Sequence, residues 1–414
     1  MNLPTSATPH STSANRARAA LTWHDLAWLG AIVVIGINLR PLLTSISPLM
    51  TTIRDATGLS FYGASLLTSL PVVAMGVGAF GAAALTRGVG ETRGVALGLV
   101  AIALACAARW LASSGFTLLL STALLAGAGV AAIQALLPAV IKQRFHARVP
   151  LAMGVFSASI MGGGGLGASL TPWVSRAMHS WHAGLAVWAL PACVALTGWW
   201  LLTRRHAVVH IAVRTSAAPA PAFSPWTTQR AWTLGLYFGI VNGGYTSLVA
   251  WLPAFYQQRG MSVSASGSLL AAMTVFQATS ALLLPLAAAS FRDRRPWLLL
   301  GLSAQLAGVL GLIAQPDAAP LLWVGIAGAG LGGVFSLTLV TAMDHSSDHR
   351  VAGPLVAFTQ GVGFIVAAVT PLVAGIVRGW SGGFAVAWIM LGGCIAAMMA
   401  VTLLFSPRSY SRWL

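Results

Sequence analysis

The sequence predicts an all-α polytopic membrane protein, with twelve transmembrane helices in two pseudo-symmetric six-helix bundles. Three observations carry that expectation. Of its 414 residues 57% are hydrophobic and only 7% are charged, a balance that soluble domains do not reach. The apolar residues fall in runs of about 20 or more, enough at 1.5 Å per residue to cross a ~30 Å hydrocarbon core. Short motifs also recur about 200 residues apart, so the second half of the chain repeats the first.

In chain order the runs cover 26–49, 60–85, 94–113, 116–140, 151–174, 183–203, 231–255, 265–290, 297–315, 321–343, 352–377 and 383–405. Polar turns and prolines separate them. Residues 1–23 are rich in Ser, Thr and Ala and carry no apolar core of a cleavable signal, so they read as a disordered tail. The domain plan is a bundle over 24–203, a linker over 204–229 with Pro219, Pro221 and Pro225, a second bundle over 230–405, and a tail over 406–414. The repeat is visible in Ala126-Gly127-Ala128-Gly129 against Ala327-Gly328-Ala329-Gly330, and in Thr171-Pro172 against Thr370-Pro371. Gly58-Leu59-Ser60 after the first span likewise matches Gly260-Met261-Ser262 after the seventh.

The formal charge of +16 does not indicate a nucleic-acid partner, because the basic residues sit in alternate loops. Arg54, Arg176, Arg259 and Arg378 fall on one side, Arg40 and Arg109 within spans, and the other seventeen of the 23 on the opposite side. The positive-inside rule then puts both termini in the cytoplasm and the protein in the inner (cytoplasmic) membrane. Cys106, Cys193 and Cys394 lie in apolar runs without CxxC spacing, which supports neither a disulfide framework nor a zinc site. His179-x-x-His182 lies in an outer loop with no carboxylate or cysteine near it, so no metal is expected there. The Gly162–Gly165 run lacks the Lys-Ser/Thr of a phosphate loop and reads as close helix packing or a hinge.

Asn38-Leu39-Arg40-Pro41 stands out inside the first span. A charge there costs at least ~2.5–3.5 kcal/mol on insertion scales, so it is expected to face a bundle interior or a wet cavity. Pro41 cannot donate to the Ile37 carbonyl, which loosens the helix and exposes polar backbone beside Arg40 and Asn38. The seven carboxylates, Asp25, Asp55, Glu91, Asp293, Asp317, Asp344 and Asp348, all fall at span ends or in loops. A buried cation with no acidic partner points to an anionic or strongly dipolar ligand. The competing reading is structural, with Arg40 capping the carbonyls freed by Pro41. For Arg109, near the outer end of the third span, snorkelling or packing competes with an anion relay.

Asn38-Leu39-Arg40-Pro41 with Ser47-Pro48, Leu136-Leu137-Pro138 with Lys142, Trp251-Leu252-Pro253 before Gly260-Met261-Ser262, and Gln360-Gly361-Val362-Gly363 with Pro371 together carry a resemblance. From Leu26 onward the chain resembles the cyanate and 2-nitroimidazole transporter family of the major facilitator superfamily. The resemblance implies a site between the halves near the midplane, with the seventh span facing the first across the cavity. Candidate substrate-binding residues are Arg40, Asn38, Gln134, Asn242, Tyr245, Gln360 and Arg109. Gln277, Gln134 and Gln360 read equally well as interhelical glue. Trp251, and Tyr237 with it, suit an interfacial aromatic belt.

The function expected is secondary active transport of a small anionic or planar polar solute across the cytoplasmic membrane by alternating access. Proton-linked uptake is the first reading, with the proton travelling on the substrate or relayed by Asp25 or Asp344. Export of a drug or metabolic anion is the alternative. The chain offers no acid, base, nucleophile or metal set at one depth, as an enzyme requires. It has no segment long enough for a sensor's output domain. No cofactor is expected, and a monomer is.

Overall fold

The computed structural model describes residues 22–145, 148–204, 224–346 and 349–412. The N-terminal tail, most of the linker and Asp348 lie outside the described residues.

The first span is broken where the proline predicts. It runs as helix Trp23–Ile37, a short helix Pro41–Thr44, a 3-10 turn Ser47–Leu49 and helix Met50–Thr57. Pro41 sits at the first position of its helix, where a missing N–H costs nothing. The preceding residues close in tight turns instead, with Asn38 N–H donating to Ile35 O and Leu39 N–H to Gly36 O. Arg40 is the residue between the two pieces.

The other spans are Phe61–Val89, Glu91–Ala108, Phe116–Phe145, Val149–Ala177, Trp181–Ala186 with Ala189–Arg204, Gln229–Gln258, Val263–Ala288, Arg295–Ala314, Pro320–Asp344, His349–Ser381 and Ala385–Thr402. Eleven segments, the broken first span included, are long and apolar enough to cross a membrane. The seventh span, Gln229–Gln258, falls short in apolarity although it is 30 residues long, and from Val241 to Tyr256 every residue is buried. That stretch needs no lipid-facing apolar surface, because other helices cover it.

The repeated Gly-x-Ser after spans one and seven has a backbone cause. Gly58 and Gly260 take φ of +69° and +91°, a left-handed turn that glycine makes without strain. Ser60 and Ser262 then cap the following helices, accepting from Gly63 N–H at 3.1 Å and from Ala265 N–H at 3.2 Å. One signal thus builds the same hairpin in each half.

The halves meet along two seams, the second span against the eleventh and the fifth against the eighth. Polar groups gather at the two ends. On the face that carries the first span's start, Asp25 pairs with Arg144 at 3.1 Å and Asp344 with Arg294 at 2.8 Å. At the same end the Trp226 ring lies 5.2 Å from Phe80 of the first half and 4.9 Å from Phe358 of the second. On the opposite face Arg259 pairs with Asp317, and the Tyr256 hydroxyl donates to Pro316 O at 3.2 Å.

The glycine run in the fifth span serves packing. A Cβ on Gly163 would stand 2.2 Å from Ile37 O, and one on Gly167 would stand 2.3 Å from Thr44 Oγ1. Bare backbone therefore seats against the break that holds Arg40. Gly163→Val is expected to cost about 1–3 kcal/mol of stability by overpacking and to depress transport. Gly162→Ala, which meets nothing within 4 Å, should be tolerated. Melting temperatures of the two purified variants compare them directly.

Candidate functional site

Between the halves lies a cavity of about 420 Å³, room for roughly a dozen waters at ~30 Å³ each. The first half contributes Arg40, Met75, Gln134, Met153, Phe156 and Ser157 among its walls, and the second Phe335, Leu339, Gln360 and Phe364. Pro138, Met153, Leu339 and Ala357 line it at the end nearest the paired Asp25 and Asp344. The cavity therefore opens toward the face that holds the first span's start.

Arg40 is half-buried and makes neither an ion pair nor a side-chain hydrogen bond among the described residues. Its guanidinium carbon lies 5.1 Å from the centre of the Tyr245 ring, an attraction between cation and ring face that leaves the N–H fork free. The helix-capping reading requires that fork to be bonded to the carbonyls around Pro41, and it is not. Among the described residues no carboxylate lines the cavity, so the local field is that of one fixed cation above an aromatic face. Such a site attracts an anion and holds a planar one through paired N–H donors.

Other candidates divide. Gln134 and Gln360 line the cavity from opposite halves. Tyr245 supports Arg40 from the seventh span, as described. Asn38 is turned elsewhere, its amide donating to Val34 O at 2.7 Å and Pro191 O at 3.1 Å, so it ties the first span to the sixth. Asn242 is buried with its amide donating to Phe238 O at 2.7 Å, one turn back on its own helix. Arg109 lies apart from the cavity and does not snorkel, being 1% exposed, with Nε 3.4 Å from Thr122 Oγ1. Gln277 sits buried on the eighth span and is absent from the cavity walls.

Two aromatic residues differ from the belt expectation. Trp251 is fully buried and donates from Nε1 to Pro371 O at 3.0 Å, while Tyr237 shares a 2.8 Å hydrogen bond with Thr402. Each is an interhelical fastener, since the polar tip of a buried aromatic must find a partner. The sequence does not separate Phe156, Phe335 and Phe364 from ordinary core residues. Met153, Phe156, Ser157, Ile160 and Met161 do share one face at helical spacing, but packing stripes have the same spacing.

The far end of the cavity is barred. Thr51 donates to Gln257 Oε1 at 2.6 Å, and Gln257 Nε2 donates to Pro48 O at 2.9 Å and to Ser266 Oγ at 2.8 Å. Gln257 thus fastens the end of the first span to the second half. Alongside, Gly375 brings the eleventh span against Trp251 and the Phe61 carbonyl.

Two six-helix halves around a largely apolar cavity with a cation in its wall, open at one end and latched at the other, define a membrane transporter. The model of the Major Facilitator Superfamily matches residues 29–368. The cyanate transport protein CynX of Escherichia coli (strain K12) is 49% identical over 376 residues, covering 91% of this chain and 96% of its own length. The 2-nitroimidazole transporter of the same organism is 29% identical, over 90% of this chain and 93% of that protein. Among solved structures, a bacterial homologue of the human lysosomal transporter Spinster, inward-facing and unoccupied, superposes with a TM-score of 0.78. It is 15% identical and the match covers 95% and 99% of the two chains. The chain belongs to the Major Facilitator Superfamily, in its cyanate and 2-nitroimidazole transporter family.

Breaking the latch tests the barred end. Gln257→Leu removes hydrogen bonds worth about 1 kcal/mol each. Two of the three, with Thr51 and Pro48, join the halves, so the population open on that side should rise on the order of thirtyfold. Spin labels across that mouth, read by pulsed electron–electron resonance, report the change, and an unaltered distance distribution would contradict the latch.

Proposed function

We propose that the chain is a secondary active transporter that carries a small anion of the cyanate type across the cytoplasmic membrane, in the direction of uptake and linked to protons. The observation that carries this reading is Arg40, a cation in the cavity between the halves with no acidic partner among the described residues. Its N–H fork supplies the donors that a compact anion needs. Tyr245 at 5.1 Å backs the guanidinium, and Gln134 and Gln360 add amide donors from either half. The name of the CynX relative points to the same substrate class.

Rocking of the halves closes the wall residues around the anion and parts the Gln257 latch, exposing Arg40 to each side in turn. With both termini in the cytoplasm, as the distribution of basic residues favours, the open end faces inward. Moving a bare anion into a negative interior costs ~2.3 kcal/mol per 100 mV, so uptake needs a compensating charge. Asp25 and Asp344 are each engaged by an arginine. The proton then travels on the cargo, as its neutral acid.

Arg40→Lys in proteoliposomes tests the assignment. Lysine keeps the charge and loses the fork, so cyanate uptake should fall roughly 10- to 150-fold, the worth of one charged hydrogen bond at about 1.5–3 kcal/mol. The melting temperature should stay at the wild-type value. A matching loss of stability would assign Arg40 to helix architecture instead. Currents that carry net negative charge inward with cyanate would exclude proton co-carriage.

A further inference from the structure

A second cationic cavity lies beyond the Gln257 latch, on the face opposite the paired Asp25 and Asp344. It encloses about 460 Å³, and its walls include Arg54, Phe61, Trp251, Gln258, Arg378 and Phe384. Arg54 comes from the first half and Arg378 from the second, and both are applied to one ring. The guanidinium carbon of Arg54 is 3.5 Å from the Phe61 ring centre and that of Arg378 is 4.6 Å from it. Arg378 is held on its other side by Phe384 at 5.1 Å.

Two like charges gathered on one phenyl ring repel each other, and the attraction of the aromatic face offsets only part of that. A carboxylate between them would be the ordinary remedy. On this same face Arg259 has one, Asp317. Neither Arg54 nor Arg378 forms an ion pair among the described residues; the exposed Asp55 acts on Arg54 only from a distance and does not line the cavity. Arg54 spends only its Nε, donating to Leu59 O at 3.0 Å. The Arg378 Nε is buried with no hydrogen-bond partner, and leaving a buried donor of that kind unpaired is unfavourable. Two guanidinium groups therefore line a common cavity, and one of them keeps an unsatisfied donor.

We propose that this vestibule is a second anion-binding site, in which a small monovalent anion bridges Arg54 and Arg378 across the seam between the halves. The proposal rests on the anion-transport reading for its biological purpose. The vestibule gathers the anion at the mouth, and when the Gln257 latch parts, the ion passes from one cation to the next, toward Arg40. Trp251 and Phe384 make the site partly apolar, which suits weakly hydrated pseudohalides over strongly hydrated ions such as sulfate.

Calorimetric titration of the full-length protein with thiocyanate and cyanate, in phosphatidylcholine nanodiscs free of anionic headgroups, separates the two sites. Wild type should bind at two sites, Arg54→Gln/Arg378→Gln should lose one, and Arg40→Gln should lose the other. In proteoliposomes the Arg54→Gln/Arg378→Gln protein should need at least threefold more external cyanate for half-maximal uptake. If the double variant fails to fold, phenylglyoxal modification of the wild type decides the question. Thiocyanate should slow labelling of both Arg54 and Arg378 at least threefold, as read by peptide mass spectrometry. Unprotected labelling, or an Arg40→Gln protein that binds no anion, would overturn the vestibule site. Two-site binding with undiminished transport in Arg40→Gln would instead overturn the assignment of Arg40 and leave the vestibule standing.

Discussion

The packing of the fifth span's bare backbone against the proline break in the first is the constraint on which the site depends. Pro41 ends one helix and starts the next, and the four residues around it leave the cavity wall ragged. Left alone, such a break in a membrane would be loose and poorly satisfied. Gly163 and Gly167 let the neighbouring helix close over Ile37 and Thr44, and the Asn38 amide binds Val34 and Pro191 carbonyls on the other flank. What emerges is a rigid irregularity with Arg40 as its only charged member. The cost of a cation at this depth is met by geometry that keeps it at the cavity wall.

Nearly all of the architecture was legible in the sequence, because lipid imposes one rule on each span and the repeat imposes it twice. Length and apolarity locate the helices, and the Gly-x-Ser turn after spans one and seven marks the same corner in both halves. The seventh span is instructive, since its Asn242, Tyr245, Thr246 and Ser247 lower its apolarity just where it is enclosed by protein. Polarity in a span is here a sign of centrality.

The site was only partly legible. Arg40 is distinguished by cost, and cost is a sequence property. Whether an amide faces a cavity or a carbonyl is not. Gln134 and Asn242 look alike in a string of letters, yet one lines the cavity and the other bonds to Phe238 O on its own helix. Trp251 failed the belt expectation for the same reason. An indole suits a headgroup and a carbonyl in a proline-containing helix equally well, and Pro371, 120 positions away, supplies the carbonyl. Tertiary neighbours decide these cases, and hydropathy does not contain them.

The Trp226 ring lies half exposed against both Phe80 and Phe358, which also touch each other. The segment leading into the second bundle is thereby moored to the line where the second and eleventh spans meet. A tilt of one bundle against the other would be felt first at this aromatic cluster, and most strongly at the opposite mouth, a bilayer core of ~30 Å away.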